Sequence, residues 1–275
     1  MIDIIKKLQA QGVKLVPKRI RELLTQPLRR HLFNTGNSKL TKKIISFGLP
    51  AVITCPGKTE TCSGGTTPSC YATRGLFRME SVSRPKMENF VIGHREDFYK
   101  LLVQDLWFFN PDSIIRIHDA GDFFDAEYTD HWYKVCRKHK DRRFYFYTRS
   151  WRIKPIFKVL QKFNLLPNVR VWYSVDADTG KPQNVADNVR LCWFQKHEHD
   201  IPTFPVDLVF RDRQLRKKKK IREGGALICP VENGVKTKTK FDCFQCKICW
   251  RDLSVFDSRN MVEPQQRFSL PVIKS

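Results

Sequence analysis

Residues 112–150 read DSIIRIHDAGDFFDAEYTDHWYKVCRKHKDRRFYFYTRS, and this stretch decides the fold class. SIIRI is a short apolar run that ends in polar HDAGD. DAEYTDHWYKVCRKHK then changes to helical spacing, with Asp125 as a side-chain N-cap. RRFYFYTRS returns to the aromatic, β-favouring composition of a buried strand. Strand, polar turn, helix and strand in this order form a βαβ unit, which implies parallel pairing.

The pattern extends in both directions. WRIKPIFKVLQKFN (151–164) reads as a helix with an early proline, and NVRVWYSVD (168–176), NVRLCWF (188–194) and VDLVFRD (206–212) read as strands. Upstream, KIISFGLPAVIT (43–54) reads as an extended segment, and residues 84–110 as two helices broken near Gly93. The expected fold is α/β, a partial or complete parallel (β/α) barrel, with an open doubly wound sheet as the alternative. Residues 1–43 form a basic helical N-terminal extension, 44–225 the core, and 226–275 a C-terminal Cys-rich segment and tail.

Charge indicates the class of partner. The 275 residues carry 50 Lys and Arg against 28 Asp and Glu, a formal net charge of +22. Self-repulsion on this scale points to a polyanion nearby, and nucleic acid (DNA or RNA) is the commonest one. An anionic membrane is the competitor, but no basic amphipathic helix with a Trp/Phe/Leu face is evident. The densest run, RDRQLRKKKKIR (211–222), supplies Arg211, Arg213, Arg216, Lys217, Lys218, Lys219, Lys220 and Arg222 as candidate phosphate contacts, or else a solvated linker. No apolar run of ~18 residues and no secretory leader is present, so the expected location is the cytoplasm.

The nine cysteines then read as metal ligands rather than as a disulfide framework. Cys229-Pro230 and FDCFQCKICW, with Cys243, Cys246 and Cys249, have the spacing of cubane ligation: a CxxCxxC loop wraps three corners and a remote Cys-Pro closes the fourth. Zinc is the alternative. CPGKTETCSGGTTPSCYATRG (55–75) sets Cys55, Cys62 and Cys70 in a loop after the first strand. Three thiolates without a local fourth leave one iron corner open to an external ligand. One or two 4Fe-4S clusters are therefore expected. Cys136 and Cys192 read as small buried hydrophobes.

The cysteine loop after the first strand, its ending Cys70-Tyr71-Ala72 and the alternating βα body resemble a divergent radical-SAM protein. More closely, residues 55–250 resemble a phage and plasmid family known as gene product eighty-eight. The loop spacing is C-x6-C-x7-C, where radical-SAM enzymes have CxxxCxxC. The resemblance implies S-adenosylmethionine as cosubstrate. It also implies that Asp119-Ala-Gly-Asp122 occupies the position of the segment that holds the methionyl amine.

Strand ends supply the remaining candidates, because ligands of parallel sheets sit beyond the carboxyl ends of strands. His118, Asp119, Gly121, Asp122, Arg149 and Ser174 are candidate cofactor-binding residues, with Asp119, Asp122 and Arg149 as catalytic candidates. In the structural alternative, Asp122 and Asp125 cap the next helix and Arg149 neutralises Asp119. No Ser-His-Asp triad, P-loop or HExxH motif occurs, which removes simple hydrolase and kinase readings. Two functions remain, a radical-SAM-like enzyme acting on nucleic acid and a non-catalytic metal-dependent DNA- or RNA-binding protein of a mobile element. A zinc-only structural protein is a third.

Overall fold

A computed structural model describes residues 1–35, 40–64, 69–217, 220–232 and 242–251. In chain order the elements are α1 (Ile2–Ala10), α2 (Pro17–Thr25), β1 (Asn34–Thr35), β2 (Ile44–Phe47), α3 (Glu60–Ser63), α4 (Glu80–Ile92), α5 (Phe98–Leu106), β3 (Ile114–Ile117) and α6 (Ala126–Lys138). They continue with β4 (Phe144–Thr148), α7 (Lys154–Phe163), β5 (Val169–Val175), β6 (Arg190–Gln195), β7 (Leu208–Arg211), β8 (Arg222–Glu223), β9 (Ala226–Ile228) and α8 (Cys243–Cys246).

The nine strands form one sheet in the order β1-β2-β3-β4-β5-β6-β7-β9-β8. From β2 to β7, and on to β9, every neighbouring pair is parallel, while β1 and β8 run antiparallel at the two edges. Strand order follows chain order without reversal as far as β7, so the sheet has no central switch point of the doubly wound kind. Among the described residues the edges β1 and β8 do not pair, and the sheet is open. Helices alternate with strands only as far as β5. The links from β5 to β6 and from β6 to β7 contain no helix.

Period-two alternation divides the sheet into two faces. Ile45, Phe47, Ile115, Ile117, Phe144, Phe146, Val171 and Tyr173 belong to the large core shared with α4, α5, α6 and α7. The register places Ser46 beside Arg116 and Tyr145, Tyr147 beside Trp172, Ser174 beside Cys192 and Leu208, and Phe194 beside Phe210 on the opposite face. The C-terminal cysteine segment covers part of that face. Ile248 packs with Trp172, Cys192 and Leu208, and Trp250 packs with Ile44, Ile114 and Tyr145.

The described part of the N-terminal 43 residues is built into the body. Ile5, Leu8, Val13, Ile20 and Leu23 join the main core, and β1 extends the sheet edge. Glu88 of α4, 4% exposed, lies between Arg19 (2.9 Å) and Arg30 (2.8 Å). One arginine of α2 and one from the segment after it therefore pair a buried carboxylate. Among the described residues no helix is long and apolar enough to cross a membrane.

Candidate functional site

Close backbone packing fixes the N-terminal cysteine loop at the carboxyl end of the sheet. A Cβ on Gly57 would lie 2.1 Å from the Arg149 carbonyl oxygen, and one on Gly121 (φ +77°) would lie 2.5 Å from Leu49 Cβ, so glycine alone permits both approaches. Cys55 follows a turn closed by its own amide on the Val52 carbonyl (3.3 Å). Cys62 lies in the single-turn helix α3, whose N-cap is Thr59. Cys70 precedes a 3-10 turn, and its carbonyl accepts from Thr73 Oγ1 (2.8 Å).

The thiols of this loop interact. Cys62 donates to Cys70, which pushes Cys62 up and holds Cys70 below the usual thiol range, and the Arg149 guanidinium favours the charged form of both. Burial pushes Cys55 up to about 12. Arg149 thus favours the thiolate forms of Cys62 and Cys70 while burial opposes that of Cys55, and Cys55, Cys62 and Cys70 are the residues that would hold a cluster here.

The strand ends arrange the polar candidates in distinct ways. Asp119 pairs with Lys86 at 2.5 Å, and its backbone carbonyl accepts from Tyr71 Oη. Asp122 is 5% exposed and binds across to β4. Its carboxylate accepts from Phe123 N (2.7 Å), Thr148 Oγ1 (2.6 Å), Arg149 N (2.8 Å) and Ser150 N (3.2 Å). Arg149 pairs with the fully buried Asp176 rather than with Asp119. His118 faces away from the cysteines, among Phe47, Phe123, Tyr128 and Trp132, with Nε2 2.8 Å from Tyr128 Oη. Burial, with Arg116 and Lys86 adding to it, depresses His118 to about 3 and keeps it neutral.

The C-terminal cysteines are held from the sheet. Cys229 follows β9, with its amide on the Val209 carbonyl (2.9 Å). Asp242 and Gln245 form a capping box around α8, and Lys247 takes the left-handed conformation (φ +61°) that turns the chain from Cys246 to Cys249. Trp172 Nε1 donates to the Cys249 carbonyl (2.9 Å), Arg190 to that of Ile248 (2.8 Å), and Arg170 to that of Arg251 (2.9 Å). Among the described residues no group of three or more His, Cys, Asp or Glu side chains converges on a single metal ion. A cubane spreads its thiolates around a larger body.

Both cysteine groups line one chamber of about 370 Å³. Cys62 and Cys70 contribute from the first group, and Cys229, Cys243 and Cys249 from the second. Between them stand Tyr145, Tyr147, Ser174, Cys192, Phe194 and Phe210 from the open face of the sheet, with Arg74, Arg116, Arg149, Arg211, Arg213 and Arg216 around them. Asp212 and Glu232 are the acidic lining residues, so the wall carries excess positive charge.

Comparison with known proteins gives the family of the chain. The Gene product 88 family matches residues 24–252. This chain belongs to the Gene product 88 family. A relative, the Gene 88 protein of Mycobacterium phage D29, is 29% identical over 145 residues, which cover 48% of this chain and 57% of the phage protein. No solved structure matches.

In this Gene product 88 member, the chamber brings together some of the residues singled out in the sequence. Arg149, Ser174, Arg211, Arg213 and Arg216 line it, whereas His118, Asp119, Gly121, Asp122, Cys55 and Cys246 do not. Arg211 is a buried wall residue, 2% exposed and bonded to Gln195 (3.2 Å). Lys220 pairs with Glu223 (3.4 Å), and Arg222 binds the Gly225 carbonyl (2.9 Å). Lys217 ends a 3-10 turn, and Lys218 and Lys219 fall outside the described residues. Cys136 is a core residue as expected. Cys192 is also buried, but in the chamber wall, with its sulfur 3.3 Å from Ser174 Oγ. The alternation VRLCWF separates Cys192 from Trp193, but nothing local marks which face is open.

Proposed function

We propose that this protein is an iron–sulfur protein of a phage or other mobile element that acts on nucleic acid, with a radical-SAM-like enzyme as the reading its chamber supports best. The carrying observation is that cysteines from two segments far apart in the chain line one partly open chamber over the open face of a parallel sheet. On this reading the in-order parallel strands form a partial barrel. Cys55, Cys62 and Cys70 would hold one four-iron cluster, and Cys229, Cys243, Cys246 and Cys249 would hold another. When bound, the first cluster and S-adenosylmethionine together supply a one-electron route to a carbon radical.

The protein's own residues supply the surroundings. The sheet and the C-terminal segment wall the chamber on two sides. Ser174 and Arg149 line the chamber and would orient the amino-acid moiety of a bound cosubstrate, whereas Asp119 is outside the lining and pairs with Lys86. A volume of about 370 Å³ lies within the range of small-molecule sites, roughly 300–1,000 Å³. The arginines of the wall and rim suit phosphate groups, and the net charge of +22 suits a strand that extends beyond the chamber.

One observation favours the non-catalytic alternative. The carboxylates of Asp119 and Asp122 already bind a lysine and four local donors, respectively. The clusters would then hold the fold together, and charge would do the binding. Incubating reduced, iron-loaded protein with S-adenosylmethionine separates the two readings. Formation of 5′-deoxyadenosine, lost in Cys70→Ala, supports the enzyme. An intact cosubstrate together with steep salt-dependent DNA or RNA binding supports the alternative.

A further inference from the structure

The loop after β5 reaches back to the first cysteine group over more than a hundred residues of sequence. Asp176 is fully buried, and both its carboxylate oxygens are in use. Oδ1 accepts from the amides of Asp178 (3.1 Å) and Thr179 (3.2 Å). Oδ2 pairs with Arg149 and accepts from Thr59 Oγ1 at 2.7 Å. A threonine hydroxyl has one proton, and here it goes to Asp176. The oxygen lone pairs therefore remain available to the Cys62 amide, which donates to Thr59 Oγ1 at 3.1 Å. Asp178 adds a second hold, with Oδ2 2.7 Å from the Thr61 amide.

We infer that Asp176 and Thr59 are positioning residues for Cys62, forming a relay from the end of β5 through the N-cap of α3 to the second cysteine of the loop. α3 has four residues, too few to hold a helical turn by its own hydrogen bonds, since isolated helices need roughly 12–15 residues to be even marginally stable. Its conformation depends on what its first amides bind, and two of those bonds, from Thr61 and Cys62, run to Asp178 and to the Asp176-bound Thr59. The same Asp176 carboxylate anchors Arg149, which lines the chamber with Cys62 and Cys70. One buried carboxylate thus sets both the place of a thiol and the place of the cation beside it. The Cys70 backbone is held differently, through Thr73, so the backbone hold of the relay falls on Cys62. The consequence for a cluster rests on the proposed function, whereas the consequence for Cys62 itself does not.

The test uses the full chain with Thr59→Val, which deletes the hydroxyl at nearly constant shape, and Thr59→Ser, which restores it. In metal-free protein, iodoacetamide labelling is resolved by cysteine with peptide mass spectrometry. Thr59→Val is expected to speed labelling of Cys62 roughly five- to ten-fold, as loss of an N-cap does to the turn it holds, with Cys136 unchanged and Thr59→Ser close to wild type. In iron-loaded protein, release of iron from the first group to a chelator is expected to be roughly 10- to 100-fold faster in Thr59→Val, the usual penalty for losing a ligand's supporting hydrogen bonds. Iron of the second group is expected to leave at the wild-type rate. Unchanged Cys62 labelling in Thr59→Val overturns the relay, as does equal acceleration at every cysteine. Wild-type protein that binds no iron but shows the Cys62-specific effect leaves the relay standing and refutes the proposed function.

Discussion

His118 provides a quantitative test of how the strand end after β3 is built. It is 3% exposed, enclosed by Phe47, Phe123, Tyr128 and Trp132, and the charges nearest to it are those of Arg116 and Lys86. Burial and these two cations depress it from 6.5 to about 3. The folded protein therefore keeps His118 neutral in a range where the unfolded chain takes up a proton. The stabilisation is fully present above the unfolded value and is lost as pH falls towards the folded value. At 1.36 kcal/mol per unit, a drop from about pH 7.5 to about pH 5 removes about 2 kcal/mol through this residue. The comparison is with His118→Asn, because asparagine also tolerates the left-handed backbone at this position (φ +65°). The variant loses the Tyr128 contact at every pH, so only the slope is compared. His94, His131 and His139 are also depressed by burial, and their contribution cancels between the two proteins. Urea unfolding followed by circular dichroism is expected to show a pH-dependent loss about 2 kcal/mol smaller in the variant. Equal slopes would refute the buried, neutral assignment of His118 and return it to the candidates for ligand binding.

Three further outcomes follow from the same geometry. Gly57→Ala places a methyl 2.1 Å from the Arg149 carbonyl oxygen. It is expected to cost about 1–3 kcal/mol by overpacking, read as a lower melting temperature, and an unchanged melting temperature contradicts this contact. Asp122→Ala leaves Thr148 Oγ1 and the amides of Phe123, Arg149 and Ser150 without their acceptor. A loss of about 3–5 kcal/mol in chemical denaturation is expected, and a loss below about 1 kcal/mol contradicts the bridging role. Cys136→Ala, in the main core, is expected to leave the iron content unchanged, whereas Cys70→Ala loses the iron of the first group and keeps that of the second. Equal iron in both variants contradicts the assignment of Cys70 as a ligand.

The local signals in the sequence were strong enough to locate the body of the fold. Asp125 caps α6 through the Tyr128 amide (2.7 Å), a bond between near neighbours that composition alone suggests. The aromatic alternation of RRFYFYTRS became β4, and the break near Gly93 separates α4 from α5. Elements without a local signal were not legible. β1 and β8 have two residues each, and only pairing with their neighbours makes them strands. The N-terminal 43 residues read as an extension because their basic composition hides the few apolar residues that enter the core. The site was legible as residue types but not as partnerships. The sequence suggested Asp119 as the counter-ion of Arg149, but the counter-ion is Asp176, and Asp119 pairs with Lys86. Thr59 and Asp176 are 117 positions apart, and no spacing rule connects them. The approach of the two cysteine groups to one chamber is likewise a property of the fold. It depends on Trp172, Arg190 and Arg170 drawing the C-terminal segment onto the open face of the sheet.

Metal analysis of protein purified without oxygen decides whether the chamber lies between iron–sulfur ligands. Iron, acid-labile sulfide and zinc would be measured on the same sample as its ultraviolet–visible spectrum. The expected result is a brown protein with a broad charge-transfer band and iron equal to sulfide, about four per chain for one cluster and about eight for two. A colourless protein with stoichiometric zinc and no sulfide would contradict it.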